Sequence, residues 1–177
     1  MLYDLVRSRR LSANSAITAW QGPFGADQDF ITSNAAIEVK TVRDDLSEIS
    51  ISSTEQLNTE RIPEIRLIVV RYRNVATEDP TAVTIDGLIS KIFDFCKSDP
   101  IATREFSGAL LEAGFVNNET YSDIAIAIVR KDAFDIAEGF PRLMPSTVDK
   151  GIIAATYHIS LPLIEAFKLA SYPYGHN

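Results

Sequence analysis

The stretch DQDFITSNAAIEVK, residues 27–40, decides the fold because two strands and the turn between them can be recognised in it. From Ile37 onward apolar and charged residues alternate, which is the period of a β-strand with two different faces. An apolar run at residues 30–32 precedes Ser33-Asn34, a pair of residues that suits a tight hairpin turn. The stretch therefore predicts two antiparallel strands, at residues 30–32 and 36–42.

A two-residue turn also determines which side chains share a face of this hairpin. It sets Asp29 opposite Glu38 and Asp27 opposite Lys40. Glu38 and Lys40 are two positions apart on one strand, so their side chains leave the same face. The opposite face carries the apolar residues Phe30, Ile37 and Val39. The hairpin is thus predicted to gather three carboxylates and one lysine on a single surface.

Opposed carboxylates on a sheet have a chemical consequence. Asp29 and Glu38 would repel each other at a cost of a few tenths to about 1 kcal/mol, and a divalent cation between them would remove that cost. Oxygen ligands of this kind suit Mg²⁺ or Mn²⁺, which keep several water ligands for substrate. The residues alone equally allow a solvated face, with Asp27 and Lys40 as a surface ion pair worth well under 1 kcal/mol.

Outward from the hairpin, strands and then helices follow, so the chain is a mixed α/β (α+β) domain. Further strands are predicted at residues 48–52 and 67–72, a hairpin at 124–129 and 133–137 around Lys131-Asp132, and a last strand at 152–161. Helices are predicted at residues 2–11, 84–97 and 101–113, and a short one after Pro162. We expect residues 1–177 to form a single domain.

Composition limits the classes of protein to which the chain can belong. With 46% hydrophobic and 23% charged residues it can bury a core, and no apolar run approaches the roughly 20 residues that span a bilayer. A single cysteine, Cys96, excludes an internal disulfide framework and predicts a cytoplasmic location. The net charge of −7 is opposite to the positive field of most nucleic-acid binders, so contact with a polyanion needs a local patch, a metal ion or a partner.

Four segments, in this order along the chain, carry a family resemblance. They are W-Q-G-P-F-G-A-D-Q-D-F at 20–30, I-E-V-K-T at 37–41, I-S-S-T-E-Q-L at 51–57 and F-P-R-L at 140–143. Together they resemble a PD-(D/E)XK phosphodiesterase family known mainly as an uncharacterised bacterial domain. The resemblance covers most of the chain, from about residue 2 to its end.

The resemblance implies a restriction-endonuclease-like core, with a mixed central sheet flanked by helices. It implies that Asp29, Glu38 and the backbone carbonyl of Val39 hold Mg²⁺ or Mn²⁺, and that Lys40 orients or activates the attacking water. The function so implied is a Mg²⁺-dependent DNA endonuclease of a bacterial restriction or defence system. The expected partners are DNA and, as an assembly, a homodimer or a larger defence complex, with no membrane.

Two departures from the family pattern leave a second interpretation open. The family's G-E-L element would end near Met1, so its glutamate is either missing or lies on a segment upstream; Asp4 is the candidate replacement. Where the superfamily often has Gln followed four residues later by Tyr, Gln56 is followed by Glu60. The alternative function is therefore a non-catalytic, nuclease-like binding or assembly subunit. A third and weaker interpretation is a structural domain with solvated charges.

Two accessory residues complete the predicted site. Asp27 belongs to it through the predicted pairing with Lys40. For Gln56 the sequence allows two roles: contact with the active site, as the resemblance implies, or a capping box in which its side chain bonds to the Ser53 amide.

Overall fold

The computed structural model describes residues 1–116, 121 and 123–175. The α-helices in this part are α1 (Leu2–Ser8), α2 (Ala13–Ala19), α3 (Ile85–Cys96) and α4 (Pro100–Glu112). The strands are β1 (Phe30–Ile31), β2 (Ala35–Arg43), β3 (Glu48–Ile51), β4 (Glu64–Val75), β5 (Ala125–Asp135) and β6 (Tyr157–Ser160). Short 3-10 helices lie at Gly22–Phe24, Pro145–Thr147 and Leu161–Phe167.

The strands form two sheets. A mixed four-stranded sheet has the order β1-β2-β4-β5, and β3 pairs antiparallel with β6 in a separate two-stranded sheet. The predicted α/β class is therefore confirmed. Among the described residues, no helix has both the length and the apolar character that crossing a membrane requires.

The chain divides into two compact units. Unit 1 comprises residues 1–26, 72–129 and 173–177, and unit 2 comprises residues 27–71 and 130–172. The helices α1 to α4 belong to unit 1, whereas the hairpin of β1 and β2 and the small β3–β6 sheet belong to unit 2. All residues that were predicted from the sequence to form the site fall in unit 2, with the exception of Asp4.

Unit 1 is built on helices whose ends are fixed by specific caps. Thr84 caps α3 by accepting the Gly87 N–H at 3.1 Å, and Asp99 caps α4 by accepting the Ile101 and Ala102 N–H groups. Both features agree with the predicted helices. In the core of this unit the ring of Phe106, which is 1% exposed, lies 4.9 Å from that of Phe93.

Helix α1 is shorter than predicted, and α2 was not predicted. The first helix ends at Ser8 because Arg9 takes a left-handed conformation, with φ 54° and ψ 18°. The second, α2, is capped by Ser12, whose hydroxyl accepts the Ser15 N–H at 3.1 Å. The sequence ANSAITA of α2 has few long apolar side chains, so its helical period was not evident.

Unit 2 is organised around β4. The predicted strand at 67–72 lies within it, and Leu67, Ile68 and Val69 are all fully buried, as expected of a strand covered on both sides. The apolar core of this unit joins residues from strands β2 to β6 and from the segments that follow β3, β5 and β6: Ala36, Val42, Ile49, Ile51, Leu57, Ile65, Leu67, Val69, Phe134, Ile136, Phe140, Ile159, Leu161 and Ile164.

Two predictions in the second half of the chain are wrong. The predicted hairpin around Lys131-Asp132 is instead the single continuous strand β5. A two-residue hairpin turn needs positive φ angles, which Lys and Asp adopt at a cost. Asp132 is instead buried within the strand and paired with cations, so the chain continues straight through it.

The second error concerns the predicted strand at 152–161. Only Tyr157–Ser160 is paired, because the partner strand β3 offers four residues, from Ile51 opposite Tyr157 to Glu48 opposite Ser160. The preceding residues have no strand beside them, and Ile153 is fully exposed. The helix predicted after Pro162 is present as the 3-10 helix Leu161–Phe167.

Candidate active site

The β1–β2 hairpin has the predicted register. Phe30 lies opposite Ile37 and Ile31 opposite Ala36, and the Thr32 N–H donates to the Ala35 carbonyl at 2.9 Å across the turn. The loop therefore contains two residues, as the Ser33-Asn34 pattern predicts.

Asp29, the residue before β1, is bonded through its side chain to the backbone of β2. The Asp29 Oδ2 atom accepts the Val39 N–H at 2.8 Å. The Asp29 side chain therefore holds the backbone of the strand that carries Glu38 and Lys40.

Lys40 lies between an acid and an amide. Its Nζ atom is 2.7 Å from Glu38 Oε1 and donates to Gln56 Oε1 at 2.9 Å. The side chain of Lys40 is 15% exposed. The structure thus brings Asp29, Glu38 and Lys40 together, as the sequence predicted, and adds Gln56 to them.

The burial of this cluster was not predicted. Glu38 is 2% exposed, because the neighbours on its face of β2, Ala36 and Val42, belong to the apolar core of unit 2. Burial removes water from the carboxylate and raises the pKa of Glu38 to about 7, although the Lys40 hydrogen bond opposes the shift. The interpretation of these charges as a solvated face is therefore wrong for Glu38.

The other acid is perturbed in the same direction. Burial raises the pKa of Asp29 above its ordinary value, while the Val39 N–H and then the charge of Lys40 act to lower it. Two carboxyl groups with raised pKa values share one lysine, so the cluster is short of positive charge when both are ionised. Groups perturbed in this way are common at functional sites.

These residues fit a hard divalent cation. Two carboxylates and a nearby backbone carbonyl, that of Val39, are oxygen donors of the kind that Mg²⁺ and Mn²⁺ prefer. Magnesium commonly takes one or two carboxylates and keeps water or substrate oxygens at its other positions. Within residues 1–116, 121 and 123–175 no group of three or more His, Cys, Asp and Glu side chains could hold a metal ion, so a closed site made only of side chains is not formed there.

Asp27 lies outside this cluster. Its predicted pairing with Lys40 is wrong: strand β1 begins only at Phe30, and Asp27 instead lies 3.3 Å from the guanidinium of Arg61. Both side chains of that pair are exposed, at 42% for Asp27 and 70% for Arg61.

Gln56 lies inside the cluster. Its side-chain oxygen accepts from Lys40 and from the backbone N–H of Ser52, both at 2.9 Å. No helix begins at Ser53, so the interpretation of this segment as a capping box is wrong. Of the two roles that the sequence allowed for Gln56, the structure shows contact with the site residue Lys40.

Sequence reasoning missed Gln28. This residue is 5% exposed, and its Nε2 atom donates to the carbonyls of Glu55 at 2.7 Å and Gln56 at 3.3 Å. The sequence did contain an indication of its burial. Gln28 stands two positions before the apolar Phe30, so the alternation of the hairpin places its uncharged side chain on the same face.

Asp4, the candidate for the missing family glutamate, is buried in α1. Its carboxylate lies 4.0 Å from the amino group of Met1. A role for Asp4 in the reaction stays a prediction.

Comparison with known families gives a match over most of the chain. A family model described as "Putative PD-(D/E)XK family member, (DUF4420)" matches residues 1–162. No curated protein and no solved structure matches the chain. The matched range contains every residue of the site.

Proposed function

Because this chain belongs to the PD-(D/E)XK family whose model it matches, we propose that it is a Mg²⁺- or Mn²⁺-dependent endonuclease that hydrolyses the phosphodiester bonds of DNA. The family is nuclease-like, and its members generally use divalent metals. The proposal extends to a cytoplasmic enzyme of a bacterial restriction or defence system that acts as a single domain, as a homodimer or within a larger complex.

The observation that carries the proposal is the position of Lys40. Its ammonium group is held at 2.7 Å from the buried Glu38 and at 2.9 Å from Gln56, beside a second, half-buried acid, Asp29. A lysine with this support has a fixed orientation, and orientation matters when a charge must meet one oxygen of a phosphoryl group.

Each residue then has a defined task. Asp29, Glu38 and the Val39 carbonyl would hold the cation, which when bound supplies charge for the phosphoryl oxygens and lowers the pKa of a coordinated water. Lys40 orients the attacking water and offers an N–H to the negative charge that develops on the phosphoryl group. Since the chain carries a net charge of −7, these two positive centres would supply the local attraction for the DNA phosphate.

Cleavage by the full-length protein and by Glu38→Ala, side by side, tests the proposal. We expect the wild type to nick or cut plasmid DNA with Mn²⁺ and not with a chelator, and Glu38→Ala to show no cleavage. Glu48→Ala is the matched control, because Glu48 is an exposed strand glutamate of the same unit that pairs with His158. Equal cleavage by wild type and Glu38→Ala would exclude this site.

Metal binding gives an independent measurement. At a Mn²⁺ concentration 100 times its dissociation constant, we expect the free energy of unfolding to rise by about 2.7 kcal/mol. Asp29→Asn should remove most of this increase, since it withdraws one of the two carboxylates. If no variant cleaves DNA and calorimetry detects no Mn²⁺ binding to the wild type, the chain is instead the non-catalytic, nuclease-like subunit.

A further inference from the structure

Gln56 reaches the site from a loop that contains neither a helix nor a strand. Residues 52–58, here called the Gln56 loop, connect β3 towards β4 without forming a helix or a strand. A backbone of this kind holds a side chain in place only if other groups fix it.

Gln28 supplies that fixation from a different segment. Its carboxamide carries two N–H donors, and one carbonyl of the Gln56 loop lies within reach of each: Glu55 at 2.7 Å and Gln56 at 3.3 Å. Because Gln28 is 5% exposed, water does not compete effectively for these carbonyls. The side chain is therefore a buried clamp on the backbone of the Gln56 loop.

Gln56, whose backbone carbonyl is bound by Gln28, points its own side chain into the site. Gln56 Oε1 accepts from Lys40 Nζ and from the Ser52 N–H. Lysine carries three N–H donors. With one directed to Glu38 and one to Gln56, the orientation of the third is set, and this is the donor that the proposed reaction requires.

We propose that Gln28 is a positioning residue: by binding the Glu55 and Gln56 carbonyls it holds the Gln56 side chain against Lys40 and thereby aims the lysine. The importance of this for catalysis rests on the proposed function. The contact itself does not, so it can be tested in a protein without metal or DNA.

Amide hydrogen exchange at Ser52 is the direct test. Its N–H is bonded to the Gln56 side chain, so exchange reports whether that side chain stays in place. In the metal-free protein we expect Gln28→Met, which keeps the length of the side chain and removes both donors, to accelerate Ser52 exchange by about tenfold. Gln56→Ala should give the same increase, and the double variant should add nothing.

Asn58→Leu is the matched control. Asn58 is another buried amide of the Gln56 loop, but its side chain bonds to the Glu55 carboxylate and to the Glu60 N–H. We expect this variant to lose stability while Ser52 exchange stays within about twofold of the wild type. If Gln28→Met does not fold, Gln28→Asn replaces it, because it keeps the carboxamide but withdraws it by one methylene.

Kinetics then separate positioning from plain stability. In the Mn²⁺-loaded enzyme we expect Gln28→Met to lower kcat by about tenfold with an unchanged KM for DNA. In the Gln56→Ala background the same substitution should have no further effect on kcat. A merely structural role would instead lower activity in proportion to the loss of folded protein and in both backgrounds.

The two proposals fail in distinguishable ways. Unchanged Ser52 exchange in Gln28→Met, or an equal acceleration in Asn58→Leu, overturns the role of Gln28 whatever the activity. A wild type that cleaves no DNA overturns the proposed function, and Ser52 exchange then still decides whether Gln28 holds Gln56.

Discussion

Unit 2 contains two clusters of buried charge that are built in opposite ways. The hairpin site has a buried acid, Glu38, and a half-buried acid, Asp29, with Lys40 as the cation bonded to Glu38. The second cluster, here called the Asp132 cluster, surrounds one buried acid with three cations: Arg130 at 2.9 Å, Lys168 at 3.0 Å and Arg71 at 3.8 Å. Burial is similar for the two central acids, at 2% exposed for Glu38 and 8% for Asp132.

The difference lies in the balance of charge. In the Asp132 cluster, hydrogen bonds to Asp132 and then to Glu165 raise the pKa of Lys168, so the positive form of the lysine is favoured there. In the hairpin site the charged form of the acid is disfavoured instead, because burial raises the pKa of Glu38 to about 7. A cluster whose charges are already compensated holds the fold together, whereas one that is short of positive charge is suited to bind a cation.

The largest contrast is expected in activity, between the two lysines. Lys40→Ala should lower the rate of Mn²⁺-dependent DNA cleavage by about 1,000-fold, because it removes a preorganised donor for the phosphoryl oxygens. Lys168→Ala should leave the rate unchanged, since its contacts are Asp132 and Glu165. Cleavage of plasmid DNA under single-turnover conditions measures both. A comparable loss in Lys168→Ala would remove the distinction between the clusters.

The next contrast is in stability, between the two acids. Asp132→Asn leaves the buried Arg71 without its carboxylate partner and Lys168 with Glu165 alone, and we expect the free energy of unfolding to fall by about 3 kcal/mol. Urea unfolding near pH 8 in the presence of a chelator measures it. Glu38→Gln under the same conditions should move stability in the opposite direction. Destabilisation of the same size in both variants would show that both acids serve the fold.

A pH series sharpens the comparison. The unfolded chain loses the Glu38 proton at the ordinary pKa of 4.5, whereas the folded metal-free protein keeps it up to about pH 7. Between these values the folded state binds more protons, so the contribution of Glu38 to stability falls as pH rises and is fully lost above about pH 7. We expect Glu38→Gln to equal the wild type near pH 4 and to exceed it by about 3 kcal/mol near pH 8.

Urea unfolding of wild type and Glu38→Gln at several pH values measures this difference. Carboxyl groups away from the site titrate in both proteins and largely cancel in the comparison. A gap between the two curves that does not change with pH would contradict a buried, destabilised Glu38.

These contrasts also mark how far the sequence could predict the site. The register was predictable because it depends on neighbours in the chain: Ser33-Asn34 sets the loop length, and alternation after Ile37 sets the faces. The burial of Glu38 was not predictable, because it depends on core residues of distant segments that cluster with Ala36 and Val42. The role of Gln28 depends on a loop 27 residues further along the chain.

The fold likewise has parts that the sequence predicts and parts that it does not. Helix α3 was predictable from its apolar period and from Asp99-Pro100, which ends it, and the structure adds the caps at Thr84 and Asp99. Strand β5 was misassigned at Lys131-Asp132 because a charged pair in a sequence suggests a turn. The cations that bury Asp132 include Arg71 and Lys168, which are distant in sequence, so only the folded chain shows why the strand continues.

The smallest effect is expected at Asp27, the acid that the sequence placed in the site and the structure places beside Arg61. The ion pair of these two side chains is exposed, with 3.3 Å between the charged atoms, and such pairs contribute at most about 0.5 kcal/mol. Asp27→Asn should therefore change the free energy of unfolding by less than about 0.5 kcal/mol and the cleavage rate by less than about twofold. Asp29→Asn, two residues further on, should abolish Mn²⁺-dependent cleavage, so the two variants assayed together locate the edge of the site. A large loss of cleavage in Asp27→Asn would mean that Asp27 leaves Arg61 and joins Asp29 and Glu38 when the cation binds, and the site would then hold three acids.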